Sequence, residues 1–320
     1  MFQVIAYYKF TPILDPEKFC DAHKGLCQSL TLKGRVYIAA EGINGTVAGS
    51  AENISIYKDR LLAIAGFSET QFKMHSCQDI PFDRLIVKTR PEIVSLKAPI
   101  PLNPQEDTAP FLSPAEWRKM LESDQDFVLL DVRNECETRI GHFEKAVLPP
   151  LDNFFDFPKW LDENPLNKDK KVLMYCTGGI RCEKFSALMK KKGFQDVNQL
   201  QGGILNYAEQ EGGAHFKGKC FVFDDRMSVP VDPSQTEPIS RCEISGVPCD
   251  TYINCANMVC NKLFLCSREA AIAMQGCCSE ACRQTPTRRP LQIDKLYIPF
   301  RRWYKYFETK GDVLNSLKDA

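Results

Sequence analysis

The run Cys176-Thr177-Gly178-Gly179-Ile180-Arg181-Cys182 holds the side chains of this sequence best suited to covalent chemistry. An apolar stretch, Val172 to Tyr175, precedes it, and a helical pattern from Glu183 to Lys192 follows. The spacing therefore predicts a strand, a tight loop opening with cysteine, and a helix. Such a loop turns backbone N–H groups inward, and the helix start adds its positive end. A cysteine in that cradle is driven toward thiolate, which is the nucleophilic form. Gly178 and Gly179 supply the backbone freedom, Thr177 and Ile180 complete the anion-binding loop, and Arg181 closes it with a fixed cation. Cys182 falls on the first helical turn. It is placed either to resolve an oxidised Cys176 or simply to pack under the loop.

A second reactive group lies further on. Cys242, Cys249, Cys255, Cys260, Cys266, Cys277, Cys278 and Cys282 are eight of the chain's 15 cysteines. Cys255-x4-Cys260 and Cys278-x3-Cys282 have the pair spacing of a structural zinc site, with Cys249 or Cys266 as alternative ligands and reduced thiols or disulfides as the competing reading. Towards the C-terminus, Arg288-Arg289 and the stretch Arg301-Arg302-Trp303-Tyr304-Lys305-Tyr306-Phe307 mix bases with aromatics. That composition suits either unpaired RNA or an amphipathic helix packing back on the fold.

Other chemistries lack their residues. The four histidines, His23, His75, His142 and His215, form no metal-binding pair, which leaves a facial iron triad unsupported. There is no glycine fingerprint for a flavin or nicotinamide, so neither cofactor is expected. Lysine plus arginine equals aspartate plus glutamate at 41 each, but the balance is uneven: residues 101–240 carry 17 basic and 23 acidic side chains, residues 241–320 carry 12 and 8. No apolar run approaches the ~20 residues needed to span a bilayer. With no secretory signal in view, the cysteines read as reduced thiols or metal ligands of a cytoplasmic protein.

These groups need a scaffold, and the pattern supplies a multidomain α/β and α+β chain. Residues 1–97 read β-α-β-β-α-β, the ferredoxin-like order. Strands fall at Gln3 to Phe10, Arg35 to Ala40, Thr46 to Ala48, Gln71 to Ser76 and Arg84 to Lys88. Helices fall at Asp15 to Leu32 and Asn53 to Ile64, and Asn44-Gly45 predicts the hairpin turn. Residues 98–114, with five prolines, read as an extended linker. Residues 115–218 alternate strands and helices as a parallel sheet does, with buried strands at Phe127 to Arg133 and Lys171 to Tyr175. This puts Cys176 at the carboxyl end of a strand, where open α/β sheets carry their sites. Residues 219–320 form the cysteine-rich region.

Three resemblances sharpen this reading. Residues 1–97 resemble the acylphosphatase fold. However, Tyr7-Tyr8-Lys9-Phe10 stands where that family has an arginine-bearing phosphate loop, so a binding role is expected there rather than that activity. Asp131-Val132-Arg133, Glu137, Gly141-His142-Phe143 and Cys176 to Arg181 resemble the rhodanese domain. This implies that Cys176 acts as nucleophile or carries a persulfide, and that His142 is structural. Beyond the domains, Tyr7 to Phe10, Glu41-Gly42-Ile43-Asn44-Gly45-Thr46, Lys171 to Lys184, Leu200-Gln201-Gly202-Gly203-Ile204, Cys220 to Asp224 and Asn254 to Cys282 resemble, in matching order, the bacterial tRNA uridine hydroxylases. That resemblance implies hydroxylation at C5 of the wobble uridine to 5-hydroxyuridine, with molecular oxygen as co-substrate and the tRNA anticodon stem-loop as partner. A rhodanese sulfurtransferase is the competing enzyme, and a thiol-bearing RNA-binding scaffold the non-enzymatic alternative.

Overall fold

The computed structural model describes residues 1–300, in two compact units: residues 1–135 with 143–216, and residues 136–142 with 217 onward. The first unit begins with β1 (Phe2–Phe10), α1 (Pro16–Ser29), β2 (Lys33–Ala39), β3 (Gly42–Ser50), α2 (Ala51–Leu62), β4 (Phe72–Cys77) and β5 (Leu85–Thr89). They form one five-stranded sheet, order β4-β1-β3-β2-β5, in which β5 extends the ferredoxin-like set by pairing parallel to β2. Both helices start on side-chain caps. Asp15 accepts from the Lys18 N–H at 3.0 Å with Pro16 following, and Ser50 accepts from the Asn53 N–H at 3.1 Å. Their inner faces close over Ile5, Val36, Ile38, Ile43 and Val47, all fully buried.

One turn differs from expectation. The antiparallel register pairs Ala39 with Gly42, so the tight turn is Ala40-Glu41, and Asn44-Gly45 lies within β3. The glycine there answers to packing, not to turning: a Cβ on Gly45 would sit 2.3 Å from the Tyr7 hydroxyl across the sheet. Asn44 donates to the Ile93 carbonyl at 3.0 Å.

The chain continues through α3 (Pro104–Asp107), β6 (Phe111–Leu112), α4 (Pro114–Leu121), β7 (Phe127–Asp131), α5 (Glu135–Thr138), β8 (Gly141–Phe143), α6 (Phe157–Glu163), β9 (Lys171–Tyr175), α7 (Ile180–Lys191), β10 (Val197–Leu200) and α8 (Gly203–Glu211). Strands β6-β10-β9-β7 make a four-stranded parallel sheet. The predicted extended linker is thus partly structured. Asn103 and Pro104 start a helical turn, and Phe111–Leu112 is the sheet's edge strand, because the same prolines that favour extension also suit a helix's first position. This stretch is tied down: the Ala109 N–H donates to Ser186 Oγ at 3.0 Å, and Gln105 donates to the Phe10 carbonyl at 3.0 Å. Ser113 and Glu116 form the capping box that opens α4. The core, built on Leu130, Val172, Met174, Phe185 and Leu188, holds β9 rigidly up to its last residue.

The second unit contains β11 (Phe216–Phe221) and β12 (Ser228–Pro230), in a three-stranded sheet of order β12-β11-β8. It then adds the hairpin of β13 (Tyr252–Asn254) and β14 (Leu263–Leu265), followed by α9 (Arg268–Ala273) and α10 (Glu280–Arg283). Its small core is cysteine-rich: Cys242, Cys255, Cys266 and Cys277 pack with Ile253 and Phe264. His142 in β8 shares a hydrogen bond with the Thr138 carbonyl at 2.9 Å. Among the described residues no helix is long and apolar enough to cross a membrane.

Candidate active site

Strand β9 delivers Cys176 at its carboxyl end, and the next residues wrap the sulfur. The Cys176 and Thr177 carbonyls point outward, accepting from Ile204 at 3.0 Å and Leu205 at 3.2 Å in the first turn of α8. This leaves N–H groups for the inside, and the Gly179 N–H donates to Cys176 Sγ at 3.0 Å. Gly203 permits the close approach of α8: a Cβ there would lie 2.5 Å from the Cys176 carbonyl oxygen. Gly179, at φ +103°, caps α7, so the sulfur faces the positive end of that helix.

The electrostatics favour a thiolate at Cys176. Burial alone would push this fully buried thiol up, but the Cys182 thiol, the Arg181 guanidinium and the Cys182 and Gly179 N–H groups outweigh it and hold Cys176 well below the ordinary cysteine range. Cys182 shows the opposite shift. Burial and its bond to Cys176 push it well above that range, which makes it the proton donor of the pair. Arg181 is braced by Thr177 Oγ1 at 3.3 Å. Under the loop, Arg133 and Asp131 form a fully buried ion pair at 2.7 Å.

Other residues at this site carry no motif. Tyr8 on β1 donates to Glu183 Oε1 at 2.6 Å, and Lys73 on β4 donates to the Gly178 carbonyl at 2.6 Å. Burial lowers the Lys73 ammonium to about 8, against the opposing pull of Cys176 and Glu183. Burial likewise raises Glu183 above the usual carboxylate range. Tyr8, Lys73 and Glu183 line a cleft of about 460 Å³ with Phe10, Phe111 and Gln201. Behind it, Lys184 Nζ lies 2.8 Å from both Glu41 and Glu92. The ferredoxin-like sheet thus contributes side chains directly to the cysteine loop.

The four cysteines with ligand-pair spacing also converge. The Sγ atoms of Cys255, Cys260, Cys278 and Cys282 all lie within 4.8 Å of one another. Cys260 to Cys278 is 3.7 Å and Cys278 to Cys282 is 3.9 Å, against about 3.8 Å for sulfurs tetrahedrally bound around zinc. Cys255 and Cys260 come from the β13–β14 hairpin, and Cys278 and Cys282 from the start of α10. Cys249 lies outside this group, bonded to Thr251 Oγ1 at 3.3 Å, and Cys266 interacts with Cys242. Arg289 packs within its own unit: it donates to the Asn254 carbonyl at 2.9 Å and sits 4.2 Å from the Phe300 ring centre. Arg301 to Phe307 lie outside the described residues.

Known proteins match the chain in the same three parts. The family model for the UPF0176 acylphosphatase like domain matches residues 2–93, the Rhodanese-like domain residues 113–210, and the Rhodanase C-terminal segment residues 217–283. The tRNA uridine(34) hydroxylase of Chlamydia felis is 41% identical over 308 residues, covering 95% of this chain and 94% of that one. The Enterococcus faecalis protein of the same name is 43% identical over 291 residues, 90% of this chain and 92% of its own. That of Listeria welshimeri is 44% identical over 288 residues, 89% and 90%.

Proposed function

Because this chain belongs to the tRNA uridine(34) hydroxylase family, we propose that it hydroxylates C5 of the wobble uridine of tRNA, with the anticodon stem-loop as its ligand, molecular oxygen as co-substrate and Cys176 as nucleophile. The observation that carries this reading is the cradled Cys176 thiolate in a chain that aligns with these hydroxylases over some nine-tenths of its length. Uracil C6 is electrophilic. Thiolate addition there forms an S–C6 bond and moves the C5–C6 π pair onto C5 and O4, which makes C5 reactive toward an oxidant. One oxygen atom enters as hydroxyl and the other leaves as water. The Cys182 thiol takes one oxygen of the C5 peroxide and becomes a sulfenic acid, loss of the C5 proton expels Cys176 and breaks the S–C6 bond, and the freed Cys176 thiol condenses with that sulfenic acid to a disulfide and water, so the dithiol supplies the two electrons and two protons. The loop N–H groups and Arg181 hold the thiolate until it adds. Such a reaction belongs in the cytoplasm, with tRNA.

The test is tRNA from cells lacking the protein, and from cells rescued with wild type or Cys176→Ala, grown aerobically with any parallel hydroxylation route deleted. Nucleosides derived from 5-hydroxyuridine, measured by mass spectrometry, should disappear and return only with wild type. Unchanged levels in every strain would sink the hydroxylase reading. The rhodanese loop would then point to sulfur transfer through a Cys176 persulfide, read directly as thiosulfate:cyanide activity. We further propose that Cys255, Cys260, Cys278 and Cys282 hold a structural zinc ion, on the strength of their converging sulfurs.

A further inference from the structure

We propose that Lys73 is a catalytic residue, the cation that receives the negative charge the Cys176 thiolate passes to uracil O4. The inference rests on the addition reading above and deepens it. In the resting site, Arg181 and the loop N–H groups serve the charge on sulfur. Addition moves that charge across the base to O4, beyond the loop's own donors, so a second donor is needed on the cleft side.

Lys73 stands there. Its Nζ is 2.6 Å from the Gly178 carbonyl and 5.3 Å from the Tyr8 ring centre, close enough to Cys176 and Glu183 for both to favour its charge. A carbonyl takes one of its three N–H groups, which leaves donors for a ligand. The cleft's other lysine, Lys9, is paired with Glu69 at 3.3 Å on the exposed rim. The cleft volume, about 460 Å³, is in the range of small-ligand sites, and the partly exposed Tyr8 and the exposed Phe111 line it with rings suited to a splayed-out base. Cys176 is fully buried, and Tyr8, Lys73 and Glu183, which line the cleft, all lie close enough to feel its charge, so the cleft is the approach the base is proposed to take. In the step itself, S–C6 forms, the π pair moves to C5 and O4, and Lys73 keeps its protons while donating a hydrogen bond to O4.

Lys73 is faced by Tyr8 from β1, Glu183 from α7 and Cys176 from the loop. With its ammonium titrating at about 8, adduct formation should fall more steeply as pH rises through that value than ionisation of the probe's own N3–H accounts for, while arginine in its place stays charged and leaves only the fall due to the probe.

The probe is an anticodon stem-loop RNA with 5-fluorouridine at the wobble position, incubated with the full-length protein and followed as covalent adduct by denaturing gel and mass spectrometry, with noncovalent affinity measured in parallel. Lys73→Met should slow adduct formation about 100-fold with affinity within about threefold of wild type, and Lys73→Arg should recover part of the rate and retain only the alkaline fall that the probe's own N3–H imposes. A Lys73→Met protein reacting at the wild-type rate overturns the inference and leaves addition by Cys176 standing. A wild-type protein that forms no Cys176 adduct overturns the addition reading, and the role of Lys73 with it. Should Lys73→Met fail to fold, the wild-type and Lys73→Arg pH profiles decide alone: coincident profiles overturn the inference.

Discussion

The sulfur of Cys176 in the loop and that of Cys182 in the first turn of α7 are driven in opposite directions, although both are fully buried. Burial penalises either thiolate, so the difference comes from who donates: Cys176 receives the Gly179 and Cys182 N–H groups and the Cys182 thiol. Cys182→Ala should therefore raise the Cys176 titration, seen as a shift to higher pH in thiolate absorbance near 240 nm after subtracting Cys176→Ser. An unmoved titration would make Cys182 a packing residue only. The sign for stability follows. Cys176, depressed in the fold, contributes stability that is complete above the unfolded thiol value and is lost as pH falls through the folded one, while Cys182, raised, contributes in the opposite sense. The loop half of this site was legible in the sequence because cysteine, glycines, arginine and helix start are contiguous. Tyr8, Lys73 and Glu183 were not. Lys73 lies on β4, whose side chains alternate between partly buried and exposed, so in sequence it reads as one more solvated lysine. Only the β1–β4 pairing brings it beside Tyr8.

The elements of the cysteine-rich unit show the same division between local and distant information. The pairs 255/260 and 278/282 could be picked from spacing, but which pair meets which depends on the β13–β14 hairpin and on the start of α10, where Ser279 Oγ accepts from the Cys282 N–H at 3.2 Å. Asn257 Nδ2 lies 3.3 Å from Cys282 Sγ, and the Cys278 N–H donates to Cys255 Sγ at 3.4 Å, the kind of outer contact that orients thiolate ligands. Hairpin and short helix otherwise share a small core, so a bound ion should be a large part of their stability. Purified protein is expected to carry about one zinc per chain. Cys278→Ser should lose it and unfold this unit at lower temperature, as should a strong chelator on wild type. Cys266→Ser, outside the four, should keep the metal in elemental analysis. Metal lost equally from both variants would discard the four-sulfur assignment. By contrast, the Asn44-Gly45 signal failed because a glycine needed for close packing against Tyr7 looks identical, in sequence, to one needed for a turn.

Across the first unit, one lysine ties the ferredoxin-like sheet to the helix that begins at the cysteine loop. Lys184, on α7, has a side chain only 4% exposed and bonds Glu41 in the β2–β3 turn and Glu92 beyond β5. Glu41 also accepts the Ile93 N–H at 2.8 Å, so the same carboxylate fixes the chain that leaves the sheet. Lys184→Met removes the cation and leaves two carboxylates facing each other with about a fifth of their surface in water. Breaking a buried pair in this way costs about 3 kcal/mol, the lower end of the usual range because water reaches both acids. The loss should appear in denaturant unfolding near neutral pH. It should also shrink in acid. Burial alone would raise Glu92, but Lys184 and the Lys97 and Leu96 N–H groups hold it below the usual carboxylate range. Its contribution is therefore complete above the unfolded glutamate value of about 4.3 and disappears as pH falls through the lower folded one. Wild type and Lys184→Met should accordingly converge in stability below that window. Tyr8 and Lys73 reach the loop from the sheet that Lys184 ties to α7, so hydroxylation by Lys184→Met should fall more than its folded fraction does. Activity that tracks the folded fraction alone would mean that the ion pair holds the fold together but does not position the site.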